Sequence, residues 1–131
     1  MVFDLDNLPA EVITFLTERH LASLTTMFDD SSPQVTPVGV TFEAETNTAR
    51  VITWATSQKA KNVAARPGHR VAVCQVDGGR WLTLYGTAKL SDQPADVAEA
   101  VRRYTARYRP PKEREDRVVI EIDVDRMVGR A

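Results

Sequence analysis

Residues 56–70 read TSQKAKNVAARPGHR, a stretch with no acid that holds four of the chain's seventeen lysines and arginines and one of its two histidines. Ser57 ahead of Gln58, Lys59 and Lys61 has the form of a capped helix start. Orphan N–H groups and the helix dipole make such a start attractive to an anion, phosphate above all. Lys59 and Lys61 fall in the first turns, where their ammonium groups can reach the same anion, and Asn62 adds an amide. Thr53 and Thr56 place hydroxyls at the end of the preceding apolar run. Together these residues form a phosphate cradle without the glycine-rich loop of a nucleotide-binding P-loop. The competing reading is a solvated basic helix face that holds nothing.

Such a cradle needs a strand, a turn and a helix, and the surrounding pattern supplies them. ARVITWA (49–55) predicts the strand, and Ser57 caps a helix that buries Ala60, Val63 and Ala64 before RPG ends it. Upstream, Asn7 and Pro9 predict the start of a helix with Leu8, Val12, Phe15 and Leu16 on one face. HLASLTTMF (20–28) and QVTPVGVTF (34–42) predict strands. Pro37 cannot donate to a ladder, so the second of them lies at an edge or carries a bulge.

Downstream, RVAVCQV (70–76), the turn DGG and the alternating RWLTLYGTAKL (80–90) predict a hairpin. Ser91 or Asp92 caps a helix from Pro94 with Val97, Val101, Tyr104 and Tyr108 inward, and RVVIEIDVD (117–125) is the last strand. Six or so strands on short turns, without regular crossover helices, predict a mainly β (α+β) fold, a small antiparallel barrel with peripheral helices.

With 131 residues, 43% of them hydrophobic, the chain suits one domain spanning residues 1–131. Its net charge of −1 conceals an asymmetry: basic zones at 57–80 and 102–117 oppose an acidic stretch at 1–45. Separation of this kind concerns ligands more than fold. No run is long and apolar enough to span a membrane, and MVFDLDNLPAEV lacks the layout of a signal peptide, so a cytoplasmic protein is expected. Cys74 is the one cysteine, and it sits among valines as an expected buried, inert thiol. His20 and His69 lack the spacing of a metal site, and none is expected.

The run VITWATSQKAKNVAARPG resembles the phosphate-binding strand, turn and helix of the split β-barrel flavin and deazaflavin oxidoreductases, the relatives of pyridoxamine phosphate oxidase. ERHLASLTT with SPQVTPVGVTF resembles their opening strands. QVDGGRWLTLYGTAKL resembles the next hairpin, and RRYTARYRPP with RVVIEIDVDRMVG the closing helix and strand. The likeness covers essentially the whole chain. SQKAKN, QVDGGRWL and RVVIEI are similar to the actinobacterial branch that uses the deazaflavin coenzyme F-420, in particular its biliverdin reductases.

The resemblance implies an FMN-binding type of split barrel, a homodimer, and a coenzyme in the groove between two barrels. Ser57, Lys59, Lys61 and Asn62 would hold its phosphate. Gln34, Val35, Thr36, Pro37 and Val38 would follow the ring with their backbone, and Thr53 would face the ribityl chain. Gly78, Gly79, Arg80 and Trp81 would close the site, from the partner subunit. Arg66, Arg70 and the zone 102–117 would meet the glutamate tail.

A reduced deazaflavin gives a hydride to an electrophilic carbon, and the protein supplies position and electrostatics. For a tetrapyrrole acceptor, biliverdin, that carbon is the central methine, arginines would pair with the propionates, and Arg80 would orient the substrate or assist protonation. The segment that serves pyridoxamine phosphate in the oxidases has no counterpart in these residues, so that oxidation is not expected. FMN presents the same ribityl phosphate as the deazaflavin and remains an alternative cofactor, in an oxidoreductase or in a non-catalytic flavin or haem carrier. A single-stranded nucleic-acid-binding barrel is the rival from another class. Slight overall acidity, and aromatics not interleaved with the basic residues, argue against it.

Overall fold

Apolar–polar alternation along the chain resolves into seven strands and three helices in the computed structural model, which describes residues 1–131. Helix α1 (Ala10–Thr17) precedes β1 (Ala22–Met27), β2 (Pro33–Val38), β3 (Thr41–Glu43) and β4 (Thr48–Trp54). Helix α2 (Gln58–Ala65) leads into the hairpin β5 (His69–Asp77) and β6 (Arg80–Ser91). Helix α3 (Pro94–Arg107) then leads to β7 (Arg117–Arg130). All pairings are antiparallel, in one sheet of order β2-β1-β5-β6-β7-β4-β3. Its two edge strands, β2 and β3, are joined only by Gly39 and Val40, so the edges adjoin and the sheet curls into a barrel. This is the mainly β architecture that the strand pattern predicted.

Inward positions of the strands form one core of 19 buried residues, with Leu24, Val51, Val73, Leu82, Ile120 and Ile122 at its centre. Each such side chain contributes about 1.5–3 kcal/mol on burial. α1 closes one end through Val12 and Phe15, and α2 closes the other through Ala60 and Val63. The ladder between β6 and β7 is irregular at Tyr85/Gly86. There a side chain on Gly86 would meet the Asp123 carbonyl oxygen at 2.2 Å, so the strands approach as only glycine allows.

Five expectations need correction. Ala64, expected to face inward on α2, is exposed, and Asn62 takes the inner position with Ala60 and Val63. The strand read across residues 34–42 is two strands on different partners, because Gly39 lies under Tyr104 and Tyr108 of the α3 terminus. A Cβ at Gly39 would stand 2.7 Å from Tyr104 Cε2. The last strand continues five residues past Asp125, held by β6 on one side and by Phe3, whose N–H donates to the Met127 carbonyl at 2.9 Å. α1 begins without a side-chain cap: Pro9 occupies the cap position, and Asn7 turns back to donate its N–H to the Asp4 carbonyl. At α3 the cap position is Gln93, while the Ser91 hydroxyl donates to Asp96 at 2.6 Å. Pro37 lies in an edge strand, as its missing donor required. No helix is long and apolar enough to cross a membrane.

Candidate functional site

The junction of β4 and α2 is built by local chemistry. Ser57 is extended (φ −66°, ψ 150°), and its Oγ accepts the Ala60 N–H, an N-cap bond. Thr53, 2% exposed on β4, donates to the same Ser57 Oγ at 2.9 Å. The Ser57 hydroxyl proton is thereby left free for another acceptor. The amides of Gln58 and Lys59 have no acceptor within the chain, whereas Lys61 N–H already bonds the Ser57 carbonyl. Two backbone donors, one hydroxyl and the positive end of α2 converge here.

Lys59 is half-buried, its Nζ 5.1 Å from the centre of the Trp54 ring. Burial holds its ammonium below the usual lysine range. Arg114 lies at the same distance from that ring and is forked onto Asp116 at 2.8 and 3.0 Å. The Asp116 carbonyl accepts the Ala55 N–H, which docks this loop beside the cradle. Trp54 lies in the VITWATSQKAKN run and Arg114 in the basic zone 102–117, but the sequence singled out neither by itself. The proximity of the 112–117 loop to β4 exists only in the fold. Lys61 is exposed at the same helix end.

Asn62 points the other way. It is 4% exposed, accepts from Gln58 Nε2 at 2.7 Å and donates to Thr26 Oγ1 at 3.0 Å. Thr26 in turn donates to Gln34 Oε1 at 3.0 Å, so a polar chain runs from α2 through β1 to β2. Asn62 therefore positions the helix, with its side chain already engaged inside the protein. Along β2, Val35 and Pro37 are exposed and Gln34 and Thr36 half-buried, while Val38 is buried.

The other bases of the stretch are also engaged. Arg66 donates to the carbonyls of Phe28 (3.0 Å) and Asp29 (2.6 Å) and ties α2 to the turn after β1. Arg70 is forked onto Asp125. His69 is buried, and its Nε2 accepts the Met27 N–H at 2.9 Å, which requires an unprotonated nitrogen. Burial, with Arg66 nearby, lowers its pKa.

Gly78, Gly79, Arg80 and Trp81 lie at the far end of the β5–β6 hairpin. His69 and Asp77 bound β5, and eight steps of about 3.3 Å put its ends roughly 26 Å apart. Within one chain the structure does not bring these four residues to Ser57 and Lys59. Gly78 takes φ +61° in the two-residue turn, which favours glycine. Arg80 donates to Asp77 Oδ2 at 2.7 Å, pairs with Glu18 at 3.2 Å and covers the Phe15 ring at 4.4 Å.

Trp81 is 37% exposed on the outer sheet face, where Val76 pairs with it across the hairpin and is itself 65% exposed. Cys74, expected to be buried, is half-buried on that face, because β5 alternates and Val71, Val73 and Gln75 take the inner positions. No group of three or more His, Cys, Asp or Glu side chains is placed to hold a metal ion.

Residues 8–130 match the pyridoxamine 5'-phosphate oxidase family, and the chain belongs to it. Among individual relatives, it is 47% identical to a biliverdin reductase of Mycobacterium tuberculosis dependent on reduced coenzyme F-420. That similarity covers 100% of this chain and 94% of the relative. The fold is similar to that of a conserved hypothetical protein of Mycobacterium tuberculosis, with TM-score 0.78, 23% identity, 95% of this chain and 84% of that one covered. It is also similar to the solved F-420 reductase, with TM-score 0.71, 24% identity, and 92% and 98% covered.

Proposed function

We propose that this protein is an oxidoreductase that binds the deazaflavin coenzyme F-420 and reduces biliverdin to bilirubin. The observation that carries this reading is the 47% identity, along all 131 residues, to a biliverdin reductase dependent on that coenzyme in its reduced form. The geometry at α2 suits its phosphate. The free amides of Gln58 and Lys59, the Ser57 hydroxyl and the Lys59 ammonium form a donor set with no acceptor of its own, as an anion requires.

Bound there in its reduced form, the coenzyme would supply the hydride. The protein's contribution is placement. Ser57, Lys59 and Lys61 anchor the phosphate, and Thr53 holds the Ser57 hydroxyl in line from below. The Gln34–Val38 edge strand, which pairs on one side only, has backbone groups free to meet a planar ring. Arg114, set over the Trp54 ring, extends the cationic surface beyond Lys59 toward a glutamate tail.

The outer face of β2, β1, β5 and β6 presents Val35, Val76 and Trp81 to solvent, an apolar surface that suits a second copy of the chain. Dimerisation through it would bring Gly78, Gly79, Arg80 and Trp81 of one copy to the cradle of the other, since within one chain they lie at the far end of a β5 strand roughly 26 Å long. A cytoplasmic location agrees with use of a soluble coenzyme.

Fluorescence titration with coenzyme F-420, FMN and single-stranded DNA tests the binding step. Anaerobic assay of the reduced coenzyme with biliverdin, followed by bilirubin absorbance, tests the reaction. Saturable deazaflavin binding with bilirubin formation is expected. Binding without turnover would remove the substrate, tighter binding of FMN would remove the deazaflavin, and binding of DNA alone would end the oxidoreductase reading.

A further inference from the structure

The cleft between α1, β3 and α3 is walled by hydrogen-bond donors. Arg102, Arg103 and Arg107 reach it from α3 and Thr41 from β3, beside the apolar surfaces of Leu16 and Phe42, around a volume of about 230 Å³. No carboxylate lines it. The nearest acids are already engaged. Glu99 accepts from Arg102 and Arg103 at 2.7 Å each, and Glu43 lies 2.9 Å from Arg50 and 3.4 Å from Arg103. Four guanidinium groups (Arg50, Arg102, Arg103, Arg107) against two carboxylates (Glu43, Glu99) leave a local charge of +4 − 2 = +2. The carbonyl oxygens of Phe15, Glu18 and Val40 and the Gln75 amide oxygen offset part of this by accepting from Arg107.

A second observation marks the same place. Four buried side-chain polar atoms lack a hydrogen-bond partner, and three of them are Thr41 Oγ1, Arg50 Nε and Arg50 Nη1. Thr41 lines the cleft and is only 7% exposed, and Arg50, outside the lining, is its register partner in the β3–β4 ladder. Arg50 Nη1 is ion-paired with Glu43 at 2.9 Å, which leaves Thr41 Oγ1 as the unmet group of the cleft itself. Buried donors are costly to leave unmet, and what this site lacks is acceptors.

We propose that this cleft binds a small organic carboxylate. The Arg102 and Arg103 N–H groups that Glu99 leaves over, with the Thr41 hydroxyl, can take a carboxylate group, and Leu16 and Phe42 would cover a short apolar stem that bare phosphate lacks. The site shares no residue with the α2 cradle, and the proposal stands independently of the redox reading.

Calorimetric titration of the full chain with succinate and, separately, inorganic phosphate at low ionic strength tests it. Succinate is expected to saturate one site per chain. Arg102→Gln with Arg103→Gln is expected to weaken it at least about tenfold, the effect of lost charge-assisted hydrogen bonds. Thr41→Val is expected to weaken it about threefold to tenfold, while Lys59→Ala leaves it unchanged. Arg102→Gln alone, at an exposed helix position, repeats the test with little risk to folding. An unchanged succinate affinity in the arginine variants would overturn the site. So would loss of binding in Lys59→Ala, tighter phosphate than succinate binding there, or no saturation at all.

Discussion

The Asn62 side-chain amide donates to the Thr26 hydroxyl at 3.0 Å, across 36 positions of sequence. With the burial of Ala60 and Val63 and the Arg66 bonds, this bond sets the rotation of α2 about its axis relative to β1. It thereby decides which helix residues face the barrel and which face the anion. Because Thr26 also donates to Gln34, α2 and the edge strand share one support.

Thr26→Val removes the middle of that chain and leaves the buried Asn62 amide without an acceptor. A loss of about 1–3 kcal/mol in folding stability is expected, read from the urea midpoint. Coenzyme affinity is expected to fall as well, although Thr26 is fully buried and cannot touch a ligand. An unchanged midpoint would show that the chain of bonds does not support the helix.

Lys59→Ala is expected to weaken coenzyme binding by about 1.5–3 kcal/mol, the range for a lost hydrogen bond to a charged group. Lys61→Ala is expected to do less, since its exposed charge is screened by water and salt. Equal effects, measured by fluorescence titration at two salt concentrations, would contradict the different burial of the two lysines. The pH dependence has a definite sign. The unfolded chain binds the Lys59 proton more tightly than the native one, so this residue makes stability rise with pH below the ordinary lysine value of about 10.4. If Lys59 holds the coenzyme's phosphate, affinity falls over the same alkaline range as its charge is lost.

His69 acts toward acid. Its native pKa is lowered, so its contribution is complete above the unfolded value of about 6.5 and is lost as pH falls from there toward the native pKa. Protonation also breaks the bond from Met27 N–H. Urea midpoints should drop between about pH 7 and pH 5, and His69→Gln should flatten that slope. An equal slope in the variant would assign the acid sensitivity to other groups.

Arg107→Met should be among the most destabilising single changes outside the core. It removes the donor from the carbonyls of Phe15 and Glu18 at the end of α1, from the Val40 carbonyl beside the β2–β3 joint and from the Gln75 amide oxygen at once. A cost of about 3 kcal/mol or more is expected by thermal or urea unfolding. Gly39→Ala at the same joint should cost about 1–3 kcal/mol through its 2.7 Å approach to Tyr104.

Val76→Asp places a charge on the exposed apolar sheet face, beside Trp81. If that face joins two copies, the variant sediments as a monomer while its far-ultraviolet dichroism stays unchanged. Turnover then falls with dimer content. A monomeric wild-type protein with full activity would sink the composite site.

The cradle was legible because its determinants are local. Ser57 caps Ala60 three residues on, and the free amides follow from the helix start itself, so spacing alone announces them. Strand alternation is equally local, and it revealed most of the sheet. The roles of the other polar residues were not local. Arg66 looked available for an anion until the carbonyls of Phe28 and Asp29, 38 and 37 positions away, proved to occupy it. Asn62 looked like a ligand contact until Thr26 turned it inward. The break at Gly39 answers to Tyr104 and Tyr108 on a helix far along the chain. Backbone hydrogen bonding within a turn or two depends on neighbours in sequence, so the residues 57–62 could declare a helix and its anion end by themselves. Which long side chains remain free depends on the acceptors that packing brings to them, and that was settled only when the barrel closed.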